Sequence, residues 1–478
     1  MRDRPEPLAR RRVAVVGLQR SNAAVVRYLL ARQARVEVYD QKPAEALAPY
    51  VGALPAGTPL HAGPDYLDQL DRRLDGLAAI FVTPGMRKNL PPLRRARTLG
   101  VALWTEAAYA LAVAPRPVIG ITGSSGKTTT TTLVGEVVRR WRPGSLVGGN
   151  IGVPLLDRLQ GLAPDAWVVM ELSSFQLELA QRPPTVGALL NLRPNHLDLH
   201  GSFDAYQDAK RRIFLGQSPG DWCVLGVDDP VVAGMAGEVP AGRLAFSGDH
   251  PVAAGAGVDD GAVVWYPPDA SASGPARPWA DPGPVLPLSS IRLPGGHNRQ
   301  NVAAAAALCL TAGAPPDFVA RVVADFAGVP HRLERVRDWR GSRWINDSIA
   351  TTPDRALAAL DTLAGERIVL LAGGYDKGLS FDDFGQAVAR CVERVLLFGA
   401  TAPAIARAIA AGSAPDWPTP VEIVPDLAAA VAMAAADVRP GQVVLLSPAC
   451  ASYDQFRDFE ERGERFRALA AALPASGG

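Results

Sequence analysis

The stretch "VIGITGSSGKTTTTTL", residues 118–133, decides the fold class of this chain. The apolar run "VIGIT" leads into a turn with two glycines, which is followed by a lysine and a run of threonines. Gly123 and Gly126 allow tight backbone geometry, and they carry no side chain that could block a ligand. Backbone N–H groups at the start of the next helix, whose dipole favours negative charge, can then face an anion. The pattern predicts a strand, a phosphate-binding loop and a helix from about Thr128 to Trp141.

The loop departs from the general G-x-x-x-x-G-K-[ST] spacing, because Gly120 is one residue too far away and only T-G-x-x-G-K-T remains. A glycine-rich turn with a chance lysine is the plainer interpretation. The strand before the loop, the helix after it and the hydroxyl run favour phosphate binding. We expect Lys127 to reach the terminal phosphates and a threonine hydroxyl to hold magnesium. The predicted nucleotide-binding residues of the loop are Gly123, Ser124, Ser125, Gly126, Lys127, Thr128 and Thr129.

Apolar runs that are each followed by a helical pattern recur on both sides of this loop. The clearest of them are "RVAVVGL" (12–18), "RVEVYD" (35–40), "LAAIFVTPG" (77–85), "AWVVMEL" (166–172), "VGALLNL" (186–192) and "WCVLGV" (222–227). Strands and helices that alternate in this way predict parallel sheets covered on both faces. The Ala-, Gly- and Pro-rich stretch from about Asp249 to Pro287 is expected to be a surface excursion with short strands such as "AVVWY".

Two proline-containing stretches, "APRPV" (114–118) and "GVPHRLE" (328–334), are candidate domain boundaries. The alternation of apolar runs and helical patterns resumes after the second stretch. A length of 478 residues fits about three domains. We therefore predict an α/β fold of three domains, each built on a largely parallel sheet. Residues 1–114 form a Rossmann-like N-terminal domain, residues 115–329 a central P-loop ATPase-like domain, and residues 330–478 a Rossmann-like C-terminal domain.

Composition narrows the function classes. The net charge of +1 gives no support to a nucleic-acid or membrane partner. The cysteines are far apart and are expected to be buried thiols in a reducing compartment, and they are Cys223, Cys309, Cys391 and Cys450. The charged N-terminus does not resemble a signal peptide, and the apolar run 302–310 is far shorter than the ~20 residues that cross a bilayer. We expect a cytoplasmic protein.

Three further stretches carry residues suited to chemistry. "VVMELSSFQLE" has Glu171 at the end of an apolar strand, where ligands collect in parallel sheets. "NLRPNHLDLHGSFDAYQDAKRRIF" has His196 after another strand and Lys210 on the following helix, and "GGHNRQNVAAAAAL" has Asn298 and Asn301 at a helix start. Taken alone, these residues could be a strand-end charge, a turn histidine, a solvated lysine and a helix N-cap.

Together and in this order, the four stretches resemble the Mur ligases, the ATP-dependent amide-forming enzymes of peptidoglycan precursor synthesis. The resemblance covers the chain from about Val13 to Phe466, and "MELSSFQLE" and "LLSPACASYDQFRDFEERGERF" are most similar to the glutamate-adding members. It implies that ATP phosphorylates the carboxylate of UDP-N-acetylmuramoyl-L-alanine, and that the amine of D-glutamate then attacks the acyl phosphate. Electrostatic stabilisation should dominate such a reaction.

The resemblance also implies site residues. The catalytic residues would be Lys127, Glu171, His196 and Lys210. Two magnesium ions would be held by Thr128, Glu171, His196 and Lys210, with Lys210 carbamylated. Further nucleotide contacts would come from Asn298, Asn301, Arg332 and Asp347. The UDP substrate would contact Arg20, Ser21, Gln41, Lys42, Thr83 and Asn150, and glutamate would contact Thr351, Lys377, Ser452 and Phe459. Ser452 and Phe459 could instead share the packed face of one helix. The implied partners are small molecules only, and the protein is expected to be a monomer.

The chain departs from the family pattern at three positions. Gln19 stands in "VVGLQRS" where G-L-G is more usual, Asn195 stands where aspartate is often found, and Ile349 stands in "NDSIATTP" where better-known members carry lysine. Isoleucine cannot neutralise a carboxylate, so either another cation such as Lys377 suffices or the amino acid sits differently. L-glutamate in place of D-glutamate therefore remains an alternative.

Other functional classes remain as rivals. The strand–turn–helix–strand "VAVVGL…VEVYD" ends in an acid, as in nicotinamide-dependent oxidoreductases, but Gly17 is the sole expected glycine present. An NTP-driven switch without ligase chemistry and a sister ligase that uses another amino acid or a folate are further alternatives.

Overall fold

The computed structural model describes residues 8–52, 54–55, 57–268, 279–293, 295–414 and 419–474. Three β-sheets organise this part of the chain. Their strand orders are β3-β2-β1-β4-β5, β14-β13-β12-β11-β10-β9-β6-β8-β7 and β15-β16-β20-β17-β18-β19, numbered along the chain with the bounds given below. The predicted fold class, three α/β sheets that are largely parallel, is confirmed.

The first sheet is parallel throughout. Its strands are β1 Arg12–Val16, β2 Arg35–Asp40, β3 Leu60–Ala62, β4 Leu77–Val82 and β5 Ala102–Trp104. Its helices are α1 Arg20–Leu30, α2 Ala48–Val51, α3 Tyr66–Asp71, α4 Pro91–Thr98 and α5 Glu106–Val113. Every residue from Val13 to Val16 is buried, as expected for a strand covered on both faces.

The second sheet is parallel from β7 through β12, and its last two pairs, β12–β13 and β13–β14, are antiparallel. Its strands are β6 Val118–Thr122, β7 Leu146–Gly149, β8 Val168–Glu171, β9 Val186–Leu189, β10 Trp222–Gly226, β11 Gly242–Phe246, β12 Gly255–Asp259, β13 Ala262–Tyr266 and β14 Gly283–Pro287. Its helices are α6 Lys127–Trp141, α7 Ser174–Leu177, α8 Leu197–His200, α9 Phe203–Arg211, α10 Pro230–Gly234, α11 Gly296–Ala312 and α12 Pro316–Asp325.

The predicted excursion at residues 249–287 contributes strands to this large sheet, because "AVVWY" is β13 and pairs on both edges. Residues 269–278 of the excursion lie outside the described residues.

The third sheet is parallel except for its edge pair β15–β16. Its strands are β15 Glu334–Trp339, β16 Ser342–Asn346, β17 Arg367–Gly373, β18 Val392–Phe398, β19 Val421–Ile423 and β20 Gln442–Leu446. Its helices are α13 Pro353–Thr362, α14 Asp382–Cys391, α15 Ala402–Gly412, α16 Leu427–Asp437 and α17 Phe459–Ala471. Neighbouring residues of β17 serve opposite faces: Leu370 joins the core with α13–α15, and Leu371 joins the core with α16 and α17.

The chain divides into two compact units, Met1–Phe326 and Ala327–Gly478. The first unit contains the first two sheets, which share one hydrophobic cluster that includes Val15 and Leu155. The proposed boundaries of the three sequence domains stay predictions.

A buried carboxyl group also joins the first two sheets. Glu106, in the first turn of α5, is 3% exposed, and its Oε1 accepts hydrogen bonds from the backbone nitrogens of Leu155 (2.7 Å) and Leu156 (3.0 Å). Arg27 on α1 forms an ion pair with Asp157 beside them. Burial raises the pKa of Glu106 to about 7, despite the two hydrogen bonds that lower it. The proline-containing stretch after α5 is therefore bridged by direct contacts within one unit.

The cysteine prediction was wrong at one position, since Cys391 is exposed at the end of α14, whereas Cys223, Cys309 and Cys450 are buried free thiols. Within the described ranges, no helix has both the length and the apolar character needed to cross a membrane.

Candidate active site

The carboxyl ends of three neighbouring strands meet where the phosphate loop begins. Ile121 of β6 lies opposite Glu171 of β8, and Thr122 lies opposite Leu189 of β9. Residues that follow these strands are therefore brought to one edge of the sheet, as the sequence predicted for Glu171.

Gly126 gives the loop its shape. Its φ is +78°, a left-handed conformation, and α6 begins at the next residue. A Cβ added at Gly126 would overlap Oδ1 of Asn301 on α11. Asn301 is fixed there, because its Oδ1 accepts from the hydroxyl of Thr130 (3.3 Å) and its amide donates to Oδ1 of Asn298 (3.0 Å). The interpretation of Asn298 as a helix N-cap is wrong, because α11 begins at Gly296.

The loop is also attached to the segment after β9. The backbone nitrogens of Ser124 and Ser125 donate to the backbone oxygen (2.9 Å) and to the side-chain Oδ1 (2.8 Å) of Asn191, respectively. The hydroxyl of Ser124 lies 2.9 Å from the hydroxyl of Tyr206 on α9. Sequence reasoning missed Asn191 and Tyr206, although both lie within the quoted stretch "NLRPNHLDLHGSFDAYQDAKRRIF".

Lys127 and Lys210 converge on the loop. Nζ of Lys127 donates to the carbonyl oxygens of Gly123 (2.7 Å) and Ser124 (3.0 Å). Nζ of Lys210 donates to the carbonyl oxygen of Gly123 (2.9 Å) and to the hydroxyl of Thr122 (3.1 Å). Lys210 is 1% exposed, so the explanation of a solvated helix lysine is wrong.

The surroundings of Lys210 favour a neutral amine. Burial lowers its pKa well below the ordinary lysine value, the positive charge of Lys127 lowers it further, and the negative charge of Glu171 acts in the opposite direction. A neutral amine is nucleophilic, so the burial of this lysine favours the form that carbamylation requires.

Glu171 ends β8 and is 1% exposed. Its Oε1 accepts a hydrogen bond from the side-chain amide of Asn150 (2.8 Å), whereas its Oε2 is buried without a hydrogen-bond partner. An unpartnered buried carboxylate oxygen is costly, and oxygen is the ligand that Mg²⁺ prefers. Glu171 therefore fits a magnesium ligand. Thr128, the other predicted oxygen ligand, is half-buried in the first turn of α6.

His196 directly precedes α8 and has a φ of +53°, and its ring lies 5.4 Å from that of Phe175 on α7. Phe175 also stacks on His200 at 4.7 Å, and Nε2 of His200 lies 2.9 Å from the hydroxyl of Ser174. Burial lowers the pKa of His200. Among the described residues, no three His, Cys, Asp or Glu side chains group in a way that could hold a metal.

Lys88 is a buried residue that sequence reasoning missed. Its Nζ donates to the carbonyl of Pro84, forms an ion pair with Glu178 at 3.5 Å, and lies 4.9 Å above the ring of Phe175. Lys88 thereby connects the segment after β4, which contains Thr83, to the aromatic stack beside His196. The chain has few lysines, and this scarcity was the signal that could have drawn attention to it.

The predicted UDP-substrate residues of the first sheet follow β1, β2 and β4, at the carboxyl edge. Arg20, Gln41 and Lys42 are exposed there, and Ser21 and Thr83 are half-buried. Asn150, the sixth predicted residue, instead follows β7 of the second sheet, beside Glu171.

Asp40 ends β2 close to these residues, and its carboxylate accepts from the backbone nitrogens of Leu18 (2.5 Å) and Lys42 (2.8 Å). Both of its oxygens are thus engaged by the chain itself. This differs from an acid that offers its oxygens to a ribose, as the oxidoreductase alternative requires.

A separate cavity of about 810 Å³ lies in the first unit. Its lining includes Arg97, Arg182, Arg212, Leu103 and His200, and it contains none of the predicted site residues. The phosphate loop is a candidate site because charged groups converge on it.

In the second unit, Asp347 follows β16 and is buried. Its carboxylate accepts from the hydroxyl of Ser447 (2.8 Å) and the backbone nitrogen of Leu333 (3.2 Å). Burial raises its pKa to about 7, although these hydrogen bonds and the charges of Arg332 and Arg355 act in the opposite direction. Asp347 and Arg332 are thus electrostatic neighbours.

The predicted glutamate residues lie in several separate segments of this unit. Thr351 precedes α13, Lys377 follows β17, Ser452 follows β20, and Phe459 is the first residue of α17. The alternative of one packed helix face is wrong, because residues 451–458 are not helical.

Arg462 ties two of these loops together. It is fully buried and donates to the hydroxyl (3.0 Å) and backbone oxygen (2.9 Å) of Ser348 and to the backbone oxygens of Cys450 (3.0 Å) and Ala451 (3.1 Å). These hydrogen bonds of Arg462 therefore stabilise the two loops.

Comparison with protein families agrees with this architecture. Three family models match the chain: the MurD-like N-terminal domain of Mur ligases at residues 11–105, the Mur ligase middle domain at residues 121–262, and the Mur ligase glutamate ligase domain at residues 331–450. The chain belongs to the Mur ligase family.

Similar proteins include the UDP-N-acetylmuramoylalanine–D-glutamate ligase of Symbiobacterium thermophilum, which is 46% identical over 97% of this chain and 98% of its own length. The ligase of the same name from Geobacillus kaustophilus is 38% identical over 95% of this chain and 96% of its own. These relatives give the oxidoreductase alternative no support.

Solved structures share the fold at low sequence identity. UDP-N-acetylmuramate–alanine ligase MurC of Thermotoga maritima has a TM-score of 0.54 at 19% identity and covers 97% of this chain and 99% of its own. MurF of Acinetobacter baumannii has a TM-score of 0.52 at 17% identity, with coverages of 97% and 93%.

Proposed function

We propose that this chain is an ATP-dependent ligase that joins D-glutamate to UDP-N-acetylmuramoyl-L-alanine in peptidoglycan precursor synthesis. The observation that carries the proposal is the convergence of Lys127, Lys210 and Glu171 on a left-handed glycine loop at one sheet edge. The names of the similar ligases supply the substrates.

In the proposed reaction, a carboxylate oxygen of the muramoyl-alanine attacks the γ-phosphorus of ATP. The bond between that phosphorus and the β–γ bridging oxygen breaks, and ADP leaves. The amine of glutamate then attacks the carbonyl carbon of the acyl phosphate. A C–N bond forms, the C–O bond to phosphate breaks, and the amine loses a proton.

The loop and Lys127 would hold the β- and γ-phosphates. Nζ of Lys127 donates to two backbone carbonyls of the loop, and this position supports a role for its ammonium group in phosphate binding. Developing charge on phosphoryl oxygens is stabilised best by donors that need not reorganise. Asn298 and Asn301, with Arg332 and Asp347 of the second unit, are proposed nucleotide contacts.

Magnesium would be held by Glu171 and Thr128 at one position, and by His196 and carbamylated Lys210 at a second. When bound, magnesium neutralises charge on the phosphates and polarises the attacked oxygens. The unpartnered Oε2 of Glu171 and the pKa-lowering burial of Lys210 support these assignments. We assign the UDP substrate to Arg20, Ser21, Gln41, Lys42, Thr83 and Asn150, and glutamate to Thr351, Lys377, Ser452 and Phe459.

The test is phosphate release from ATP with UDP-N-acetylmuramoyl-L-alanine and D-glutamate, L-glutamate or neither, with the product identified by mass spectrometry. We expect release and product with D-glutamate. Lys127→Ala should lower the rate by about a hundredfold or more, because it removes a charge that acts on the transition state. Turnover with L-glutamate alone would keep the mechanism and overturn the stereochemistry. Release that needs neither amino acid would contradict the ligase function.

A further inference from the structure

The carboxylates of glutamate bind best to positively charged side chains. The segment "NDSIATTPDR" has Ile349 at the position where better-known family members carry lysine. This inference rests on the proposed function. Two cations near the segment are committed elsewhere or already assigned. The guanidinium of Arg462 donates hydrogen bonds to Ser348, Cys450 and Ala451. Lys377 is already a predicted glutamate contact.

Arg355 is an exposed cation that lies against this segment. It is the third residue of α13, and its Nη1 donates to the backbone oxygen of Ile349 at 3.3 Å. The side chain therefore folds back over the loop that contains Ile349 and Thr351. Among the described carboxylates, none forms an ion pair with its guanidinium.

The guanidinium of Arg355 acts electrostatically on the carboxyl of Asp347, and it also lies close to a second cation, Lys377. A cation in the first turn of a helix opposes the helix dipole. Desolvation lowers the pKa of Lys377, and the charge of Arg355 lowers it further, so the two cations repel each other. A carboxylate between or beside them would relieve this repulsion.

We propose that Arg355 is a specificity residue that binds a carboxylate of the incoming glutamate together with Lys377. The guanidinium fork can bind a carboxylate through two parallel hydrogen bonds, an arrangement that an ammonium group cannot reproduce. Arg355 thereby supplies, from the first turn of α13, the positive charge that Ile349 lacks.

The experiment compares Michaelis constants of the full chain for glutamate, ATP and UDP-N-acetylmuramoyl-L-alanine, using the glutamate enantiomer that the wild type accepts. Arg355→Ala should raise KM for glutamate about tenfold or more and leave the other two constants within about twofold, as loss of a charge-assisted hydrogen bond predicts. Arg355→Lys should have an intermediate KM. The matched control is Arg407→Ala, which removes another exposed arginine of the same unit, on α15, and should change none of the three constants.

An unchanged KM for glutamate in Arg355→Ala would overturn the proposal, as would an equal rise of all three constants. A wild type that ligates neither enantiomer is a different outcome, because it would remove the proposed function and this inference together. Thermal unfolding of each variant shows whether a lost activity comes from a lost fold.

Discussion

Lys127 and Lys210 donate hydrogen bonds to the same backbone oxygen, the carbonyl of Gly123, at 2.7 and 2.9 Å. Two ammonium groups on one acceptor repel each other, and Lys210 is the one withdrawn from solvent. Burial first and the charge of Lys127 second lower the pKa of Lys210. The loop therefore disfavours a positive charge on Lys210.

Replacing Lys210 by methionine should lower activity strongly and spare the fold. We expect phosphate release to fall by about a hundredfold or more, because no oxygen ligand can form at this position. The melting temperature should stay equal to that of the wild type or rise, since methionine buries no polar amine. Phosphate release and thermal unfolding measure the two effects.

The pH dependence of that stability difference has a defined sign. A folded-state pKa below the unfolded one means that the unfolded chain binds more protons, so the wild type gains stability as pH rises towards the ordinary lysine value. The advantage of Lys210→Met should therefore shrink between neutral pH and pH ~9. An advantage that grows with pH would contradict a depressed pKa.

Glu171→Gln should weaken the magnesium dependence, because an amide oxygen is a poorer ligand for Mg²⁺ than a carboxylate oxygen. We expect the magnesium concentration for half-maximal phosphate release to rise about tenfold or more, because the variant loses one negatively charged ligand of the ion. Glu136→Gln is a matched control, since Glu136 lies on α6 and its ion pair with Arg140 is on the surface. Equal magnesium curves for Glu171→Gln and the wild type would refute the assignment.

Gly126→Ala should destabilise the protein and impair ATP binding. The left-handed φ costs an L-residue about 1–2 kcal/mol, and the new methyl group would also collide with Asn301. Gly161→Ala separates the two effects, because Gly161 has a φ of +73° and an added Cβ would meet nothing within 4 Å. Calorimetric unfolding should show a larger loss for Gly126→Ala. Equal losses of stability in the two variants would mean that the collision with Asn301 does not destabilise the protein.

Glu106→Gln should change how stability depends on pH. A carboxyl group whose pKa rises from 4.5 to about 7 on folding loses roughly 3 kcal/mol of stability as pH rises through that window. The glutamine variant has no such titration, so its free energy of unfolding should rise relative to that of the wild type between pH ~5 and ~8. Unfolding by denaturant at several pH values measures the difference. The exposed Glu45→Gln serves as control and should follow the wild type at every pH.

Much of the fold could be predicted from the sequence, because buried parallel strands are short apolar runs. The predicted segment 35–40 is β2 residue for residue, and "VIGIT" is β6. Glu171 could be placed at a sheet edge for the same reason, since the end of an apolar run is the end of its strand.

The rest depended on contacts between distant parts of the chain. The burial of Lys210 arises because α9 brings it to Thr122, 88 positions earlier, and a helical pattern alone cannot show this. The four hydrogen bonds of Arg462 likewise join loops more than a hundred residues apart. The two failed helix interpretations, at Asn298 and at Ser452, concern element boundaries, where local residue types decide least.

The shared core of the first two sheets bears on how such ligases can be re-engineered. A substrate-binding segment that ends near residue 114 could be exchanged between relatives only together with the part of the second sheet on which it packs. Cutting after α5 would strip Glu106 from the amides of Leu155 and Leu156 and open the joint hydrophobic cluster. Chimaeras should therefore exchange residues 8–326 as one block, with the crossover placed at Phe326.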